Sequence, residues 1–247
     1  KTENISISVK EVSGLGYGIG SDNYGTGSTI IIASDQVKGG VGQNDQTVDS
    51  DGIYAWNESN TKDLSITAKD VTGLDDGIAA INNGFGSSSI SVAGDVTSTS
   101  TDTSDDNHSY GIYAIGDGTD VTIFTDGDVT SNDRGVFAWN YGSGETSITS
   151  TGTVTAGNVV GIYAENEEIS TASDITIKAN NVNAFDDGIV AYNYGSGSTE
   201  ITATGVIKGG VGQTDQTAIS DGIYAYNGTK TENISISVKE VSGLGYG

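Results

Sequence analysis

Eight times along the chain a glycine opens the pattern Gly-(Ile/Val)-x-Ala-x-Asn, at Gly18, Gly52, Gly77, Gly111, Gly135, Gly161, Gly188 and Gly222, and the register returns at Gly247. Successive starts lie 24 to 34 residues apart. A unit of that length cannot bury an apolar face alone, so such a chain must stack its units, each covering the next. Within each unit a second run alternates apolar and polar residues, as in ISISV (Ile5 to Val9), LSITA (Leu64 to Ala68), SISVA (Ser89 to Ala93), VTIFT (Val121 to Thr125) and ITIKA (Ile175 to Ala179). A third short run ends on Val12, Val37, Val71, Val96, Val129, Val154, Val182 or Val206. Period-two alternation describes strands, and no stretch has helical periodicity. The expectation is an all-β fold, a parallel β-solenoid (β-helix) of about eight coils with three short strands each and no caps. Right-handed winding follows from the general hand of parallel crossovers.

A longer repeat contains the short one. Lys1 to Gly18 reads KTENISISVKEVSGLGYG, and Lys230 to Gly247 is identical, a shift of 229 residues. Residues 1–229 are therefore read as one period forming a single solenoid, and 230–247 as the start of the next identical period. Lys1 to Asn57 also aligns with Thr171 to Asn227 at an offset of 170 residues, which points to duplication of blocks of coils.

Composition narrows the functional classes. The 33 acidic against 10 basic residues leave a formal charge of −23, with Arg134 the single arginine, so nucleic acid is excluded as a partner and anionic membranes are disfavoured. No apolar run reaches the roughly 18 residues of a membrane span. Cysteine is absent, which removes disulfides, thiolate metal sites and thiol nucleophiles. Methionine is absent too, and the chain opens inside a strand, so it reads as an excerpt of a longer product.

Alternation assigns the side chains. Ile53, Ala55, Ile78, Ala80, Val136, Ala138, Ile189 and Ala191 should face inward. Their neighbours then face outward in two columns, Tyr54, Tyr113, Phe137, Tyr163 and Tyr224 in one, Trp56, Trp139, Tyr192 and Tyr226 in the next. These rings are the candidate surface contact, a lateral docking strip or a platform for sugar rings. Asn23, Asn57, Asn82, Asn140, Asn166, Asn193 and Asn227 share one register, broken at Gly116, and are expected to form a stacked amide ladder from coil to coil. Ser6, Ser65, Ser91, Thr122, Thr149 and Thr176, with Ile31, make a mixed outward face rather than a uniform threonine column, which leaves ice binding a minor alternative.

The extra residues of the three long units sit just before the repeat glycine, at one corner: Gly39 to Ser50, Ser98 to Ser109 and Gly209 to Ser220. The run beginning at Gly39 is similar to the glycine-rich nonapeptide that binds calcium in secreted bacterial repeat proteins, with its acidic residue one place late. Asp45, Asp215 and the pairs Asp75/Asp76 and Asp186/Asp187 are therefore the candidate Ca²⁺ ligands, and Asp105/Asp106 is a further pair. Aspartate beside glycine is also ordinary turn chemistry. No other cofactor is expected.

The recurring GIYAWN, GIYAEN, GVFAWN and GIYAYN, followed by NYGSGS and an alternating strand, resemble right-handed β-helix passenger regions of autotransporter-type bacterial surface proteins. The resemblance implies secretion, an extracellular or cell-surface location, and adhesive or structural duty. An enzyme is not expected. Paired carboxylates recur in turns rather than in one cleft, and His108, the lone histidine, lies in a polar loop. The function expected is a structural segment of an extracellular filament or adhesin stalk, its partners further copies of itself, end to end by covalent tandem or head-to-tail stacking, and also laterally. The alternatives are a carbohydrate-binding adhesin surface and, behind it, a polysaccharide-degrading β-helix enzyme.

Overall fold

The structure is a computed structural model, and it describes residues 3–43, 49–101, 109–167, 174–214, 219–229 and 233–245. The first coil carries β1 (Ile5–Val9), β2 (Val12–Ser13) and β3 (Ile19–Asn23), and the next β4 (Thr29–Lys38) and β5 (Ile53–Asn57). Then follow β6 (Leu64–Gly73), β7 (Ile78–Asn82), β8 (Ser88–Val92), β9 (Val96–Ser98) and β10 (Tyr110–Gly116). The central coils hold β11 (Val121–Thr125), β12 (Val129–Ser131), β13 (Arg134–Asn140), β14 (Thr146–Ala156) and β15 (Ile162–Asn166). The last elements are β16 (Ile175–Ala184), β17 (Ile189–Asn193), β18 (Thr199–Lys208), β19 (Ile223–Asn227) and β20 (Ile234–Ser242).

All described pairings are parallel, and they form two sheets. The larger runs β1-β4-β6-β8-β11-β14-β16-β18-β20, with the short β2, β9 and β12 alongside; the smaller runs β3-β5-β7-β10-β13-β15-β17-β19. Each strand pairs with its equivalent one turn away, which is the topology of a parallel β-solenoid. The second and third runs of a unit stay separate around β1/β2, β8/β9 and β11/β12. Elsewhere they join into single strands such as β4, β6, β14, β16 and β18, kinked where the register shifts, for example between Ala33 and Gln36.

Ladders of like residues make the core. Ile7, Ile31, Ile66, Ile90, Ile123, Ile148, Ile177, Ile201 and Ile236 stand in one unbroken register along the larger sheet. Facing them from the smaller sheet are Ile53, Ile78, Ile112, Val136, Ile162 and Ile189, each over an alanine in the same strand, and all fully buried. The alternation of large and small side chains from two sheets about 10 Å apart fills the interior without helices. The third ladder is Val12, Val37, Val71, Val96, Val129, Val154, Val182, Ile207 and Val241. Ile207 therefore replaces Val206, which pairs with Glu240 on the outer side of the bulge. Ile31, read from the sequence as outward, is buried, and Ile30 and Ile32 are exposed instead.

The repeat glycine has a steric cause. A Cβ on Gly135 would lie 2.4 Å from Val154 Cγ1 and 2.4 Å from the carbonyl oxygen of Gly161. At this corner the backbone of one coil rests on the valine ladder and on the next coil, so no side chain fits.

Candidate functional site: an aromatic strip on the smaller sheet

Two outward columns run along the smaller sheet, and register defines them. One is Gly20, Tyr54, Ala79, Tyr113, Phe137, Tyr163, Val190 and Tyr224; the other is Asp22, Trp56, Ile81, Ile115, Trp139, Glu165, Tyr192 and Tyr226. The nine candidate rings stand on the outer face, half-buried except for the exposed Tyr224 and Tyr226. Sequence alternation missed a third column just past the Asn register, where Tyr24, Tyr141 and Tyr194 add rings. It also missed the column just before the repeat glycine, which supplies Tyr17 and Tyr110. The recurrent NYG after the pattern was the signal for the third column.

The rings meet in two groups. Tyr17 stacks on Tyr54 at 5.0 Å, and Tyr24 meets Trp56 edge-on at 5.4 Å. After the coil carrying Ala79 and Ile81, a continuous chain of contacts runs from Tyr110 to Tyr226. In it Phe137 stacks on Tyr163 at 4.7 Å and 4°, and Trp139 on Tyr141 at 4.7 Å and 22°. Such pairs add about 0.5–1.5 kcal/mol each beyond burial.

Within the longer group a groove of about 400 Å³ opens across three coils, walled by Phe137, Trp139, Tyr163 and Tyr192, with Arg134 and Asp187 at its edge. It exists because Val190 stands between Tyr163 and Tyr224, and Val160 between Arg134 and Asp187, where the neighbours are large. Trp139 Nε1 donates to Glu167 Oε2 at 3.2 Å, and the Tyr163 hydroxyl donates to Glu165 Oε2. Burial, the bond to Glu165 and the charge of Glu165 push the Tyr163 phenol well up, so it remains a donor at any ordinary pH. Arg134 Nη1 donates to Tyr110 Oη at 2.8 Å. A wider depression of about 540 Å³ lies beside it, lined by Ile81, Asn83, Ile115, Asp117 and Tyr141, with a single ring.

The asparagine register holds, and Asn23, Asn57, Asn82, Asn140, Asn166 and Asn193 are buried, with Asn227 half-buried. Its bonding alternates from coil to coil. In the coils of Asn23, Asn82, Asn140 and Asn193, Oδ1 accepts the backbone N–H two residues on, at Gly25, Gly84, Gly142 and Gly195. Each of these coils carries a hydroxyl six residues after the Asn: Thr29, Ser88, Thr146 or Thr199. The threonines donate to the Asn of the following coil, Thr29 to Asn57 at 2.6 Å, Thr146 to Asn166 at 2.5 Å and Thr199 to Asn227 at 2.6 Å. A direct amide step joins Asn57 Nδ2 to Asn82 Oδ1 at 3.2 Å. Gly116 stands where a Cβ would come 2.7 Å from Val121 Cγ2, and Ser88 there donates to the Ile115 carbonyl. The structural unit is thus a pair of coils.

The acidic residues also follow a rule. Asp63, Asp70, Asp95, Asp120, Asp128 and Asp174 each accept, through Oδ1, the N–H of a residue one coil onward: Ser87, Asp95, Asp128, Glu145, Thr153 and Ser198. These amides sit at corners and bulges, where the strand ladder has let them go. The calcium candidates share this duty. Asp76 Oδ1 accepts from Tyr110 N at 2.7 Å and Asp187 Oδ1 from Asp221 N at 2.7 Å, while Asp186 Oδ1 accepts the Ser220 hydroxyl at 2.8 Å. The Asp75 carbonyl accepts the Ser98 hydroxyl. Among the described residues no three acidic or histidine side chains gather as a metal would require. Asp45, Asp105, Asp106, His108 and Asp215 lie outside the described residues.

No family model matches the chain, and neither the curated proteins nor the solved structures contain a significant match to it.

Proposed function

We propose that the chain is a structural segment of an extracellular bacterial filament or surface adhesin stalk, one period of a tandem array whose coils stack without interruption. The observation that supports this most is the phase of the ladders. β1 and β20 carry the same sequence at opposite ends of the larger sheet, and the eight turns between them are an even number, so the hydroxyl and non-hydroxyl coils would continue to alternate across each junction. An odd number would set two coils of the same kind against each other. The resemblance to autotransporter passengers adds the extracellular placement.

The test is the intact mass of the native polymer under denaturing conditions. A covalent array gives a mass several times the 25.2 kDa of this chain. A mass near one period rejects it in favour of subunits stacked head to tail, a heterologous contact that does not close. A second reading, a carbohydrate-binding surface, is favoured by the aromatic groove.

A further inference from the structure

Resting on that second reading, we infer that the groove between Phe137, Trp139, Tyr163 and Tyr192 is a binding site for a neutral glycan, occurring once in each period. Three observations carry it. First, the rings are not what the scaffold needs: the coil with Ala79 and Ile81 in the same columns forms the same paired strands without them. Secondly, only the Asp187–Tyr192 wall of the groove lies in the duplicated block, and that wall differs between the two copies. At the offset of 170 residues Tyr192 corresponds to Asp22 and Asp187 to Tyr17, so the first block of coils has no equivalent. A feature kept for stacking alone would recur with the coils.

Thirdly, the chemistry is that of sugar recognition. A sugar ring offers an apolar C–H face, which packs on the negative face of an aromatic ring, and an equator of hydroxyls that both donate and accept. Here half-buried rings form the walls, and Asp187 and Arg134 stand at the edge with opposite charges. Asp187 is held by its bond from the Asp221 amide, and a carboxylate retains further acceptor sites for hydroxyls. The groove's about 400 Å³ lies within the ~300–1,000 Å³ usual for small-ligand sites. Charge selects the class. The carboxylates of Glu165, Glu167 and Asp187 surround the rings on a chain of formal charge −23, and the lone arginine already donates to Tyr110. Uronates, sialylated chains and phosphorylated glycans are repelled, and neutral hexose polymers are not.

The experiment uses the 247-residue chain carrying Trp56→Phe, which leaves Trp139 as the single indole and makes its fluorescence a reporter of the groove. The probes are hexasaccharides of β-glucan, mannan and galactan, with oligogalacturonate as the acidic comparison. At least one neutral probe should shift the Trp139 emission saturably. Tyr192→Ala should weaken that binding by about tenfold, as expected for one lost ring contact, while Tyr24→Ala, in the other ring group, leaves it unchanged. Circular dichroism of each variant separates loss of the site from loss of the fold. No shift with any neutral probe, equal loss in both variants, or a preference for oligogalacturonate overturns the inference. None of these touches the stalk reading, which rests on the phase of the ladders and is tested by polymer mass.

Discussion

At the scale of the residue, the chain's polarity is structural. A solenoid corner strips backbone N–H groups from the strand ladder and leaves them at the rim of the coil, in need of an acceptor other than the next strand. Aspartate supplies a short, charged acceptor, and much of the acidic excess is spent on amides one coil away. The same reasoning applies inside. Thr146 donates to the buried Asn166, so Thr146→Val, nearly isosteric, leaves that amide oxygen short of a donor. Thr146→Val should lose about 1–3 kcal/mol of stability to urea, and exposed Ser196→Ala less than about 0.5 kcal/mol. Equal costs would remove the threonine from the ladder. The asparagine register was legible in the sequence because it repeats in phase with the glycine. The alternation of its partners also lay there, as Asn followed six residues later by Thr or Ser, but nothing marks it as bonding until the coils are stacked.

At the scale of the element, the corner before the repeat glycine decides how the molecule responds to pH. Asp51 and Asp76 are stacked there, and the Asp51 carboxylate accepts the Asp76 N–H at 3.1 Å. Burial pushes the Asp51 carboxyl up to about 7; the bond from the Asp76 amide opposes this, and the charges of Asp75 and Asp49 add to it. Asp76 is raised well above the usual range, first by burial and then by the charges of Asp51 and Asp75. Because these folded-state values exceed the ~3.9 of an unfolded aspartate, the folded chain binds the protons more tightly. The Asp51 contribution is complete below about pH 4 and is lost as pH rises through about 7, and that of Asp76 is lost in the same direction. The melting temperature should therefore fall between pH 5 and pH 8, and the double variant Asp51→Asn/Asp76→Asn should flatten that slope by keeping the acceptors while removing the titration. An unchanged slope would place the pH response in the general charge of the surface. The sequence showed these residues as Asp-Gly turns; only stacking shows that one carboxylate lies over the next.

At the scale of the whole molecule, each coil depends on the next one to cover its core. Ile234 and Ile236 on β20 are 43% and 47% exposed, whereas their equivalents Ile175, Ile177 and Ile201 are fully buried. Burying a side chain of that size contributes about 1.5–3 kcal/mol. In a solenoid, where stability sums over nearest-neighbour interfaces, a covalently doubled chain of two periods should melt well above the single one. Equal melting temperatures would mean that the junction between periods does not stack. With a rise of about 4.8 Å per coil, eight coils add roughly 38 Å of rod per period.

What the sequence determined by itself was whatever repeats: the coil register, the inward isoleucines and alanines, the asparagine column and the all-parallel stacking. Those features depend on period-two alternation and on a motif that returns in phase, and both are local. The tertiary structure decided the rest, because contacts between coils join residues separated by loops of unequal length. The bulge between Ala203 and Val206 gives the core position to Ile207 by a shift of one residue, which alternation alone cannot detect. Likewise Val160 and Val190 read as ordinary apolar residues in the chain. Only when three coils lie side by side do they leave low ground between Tyr163 and Tyr224 and between Arg134 and Asp187, and that low ground is the groove.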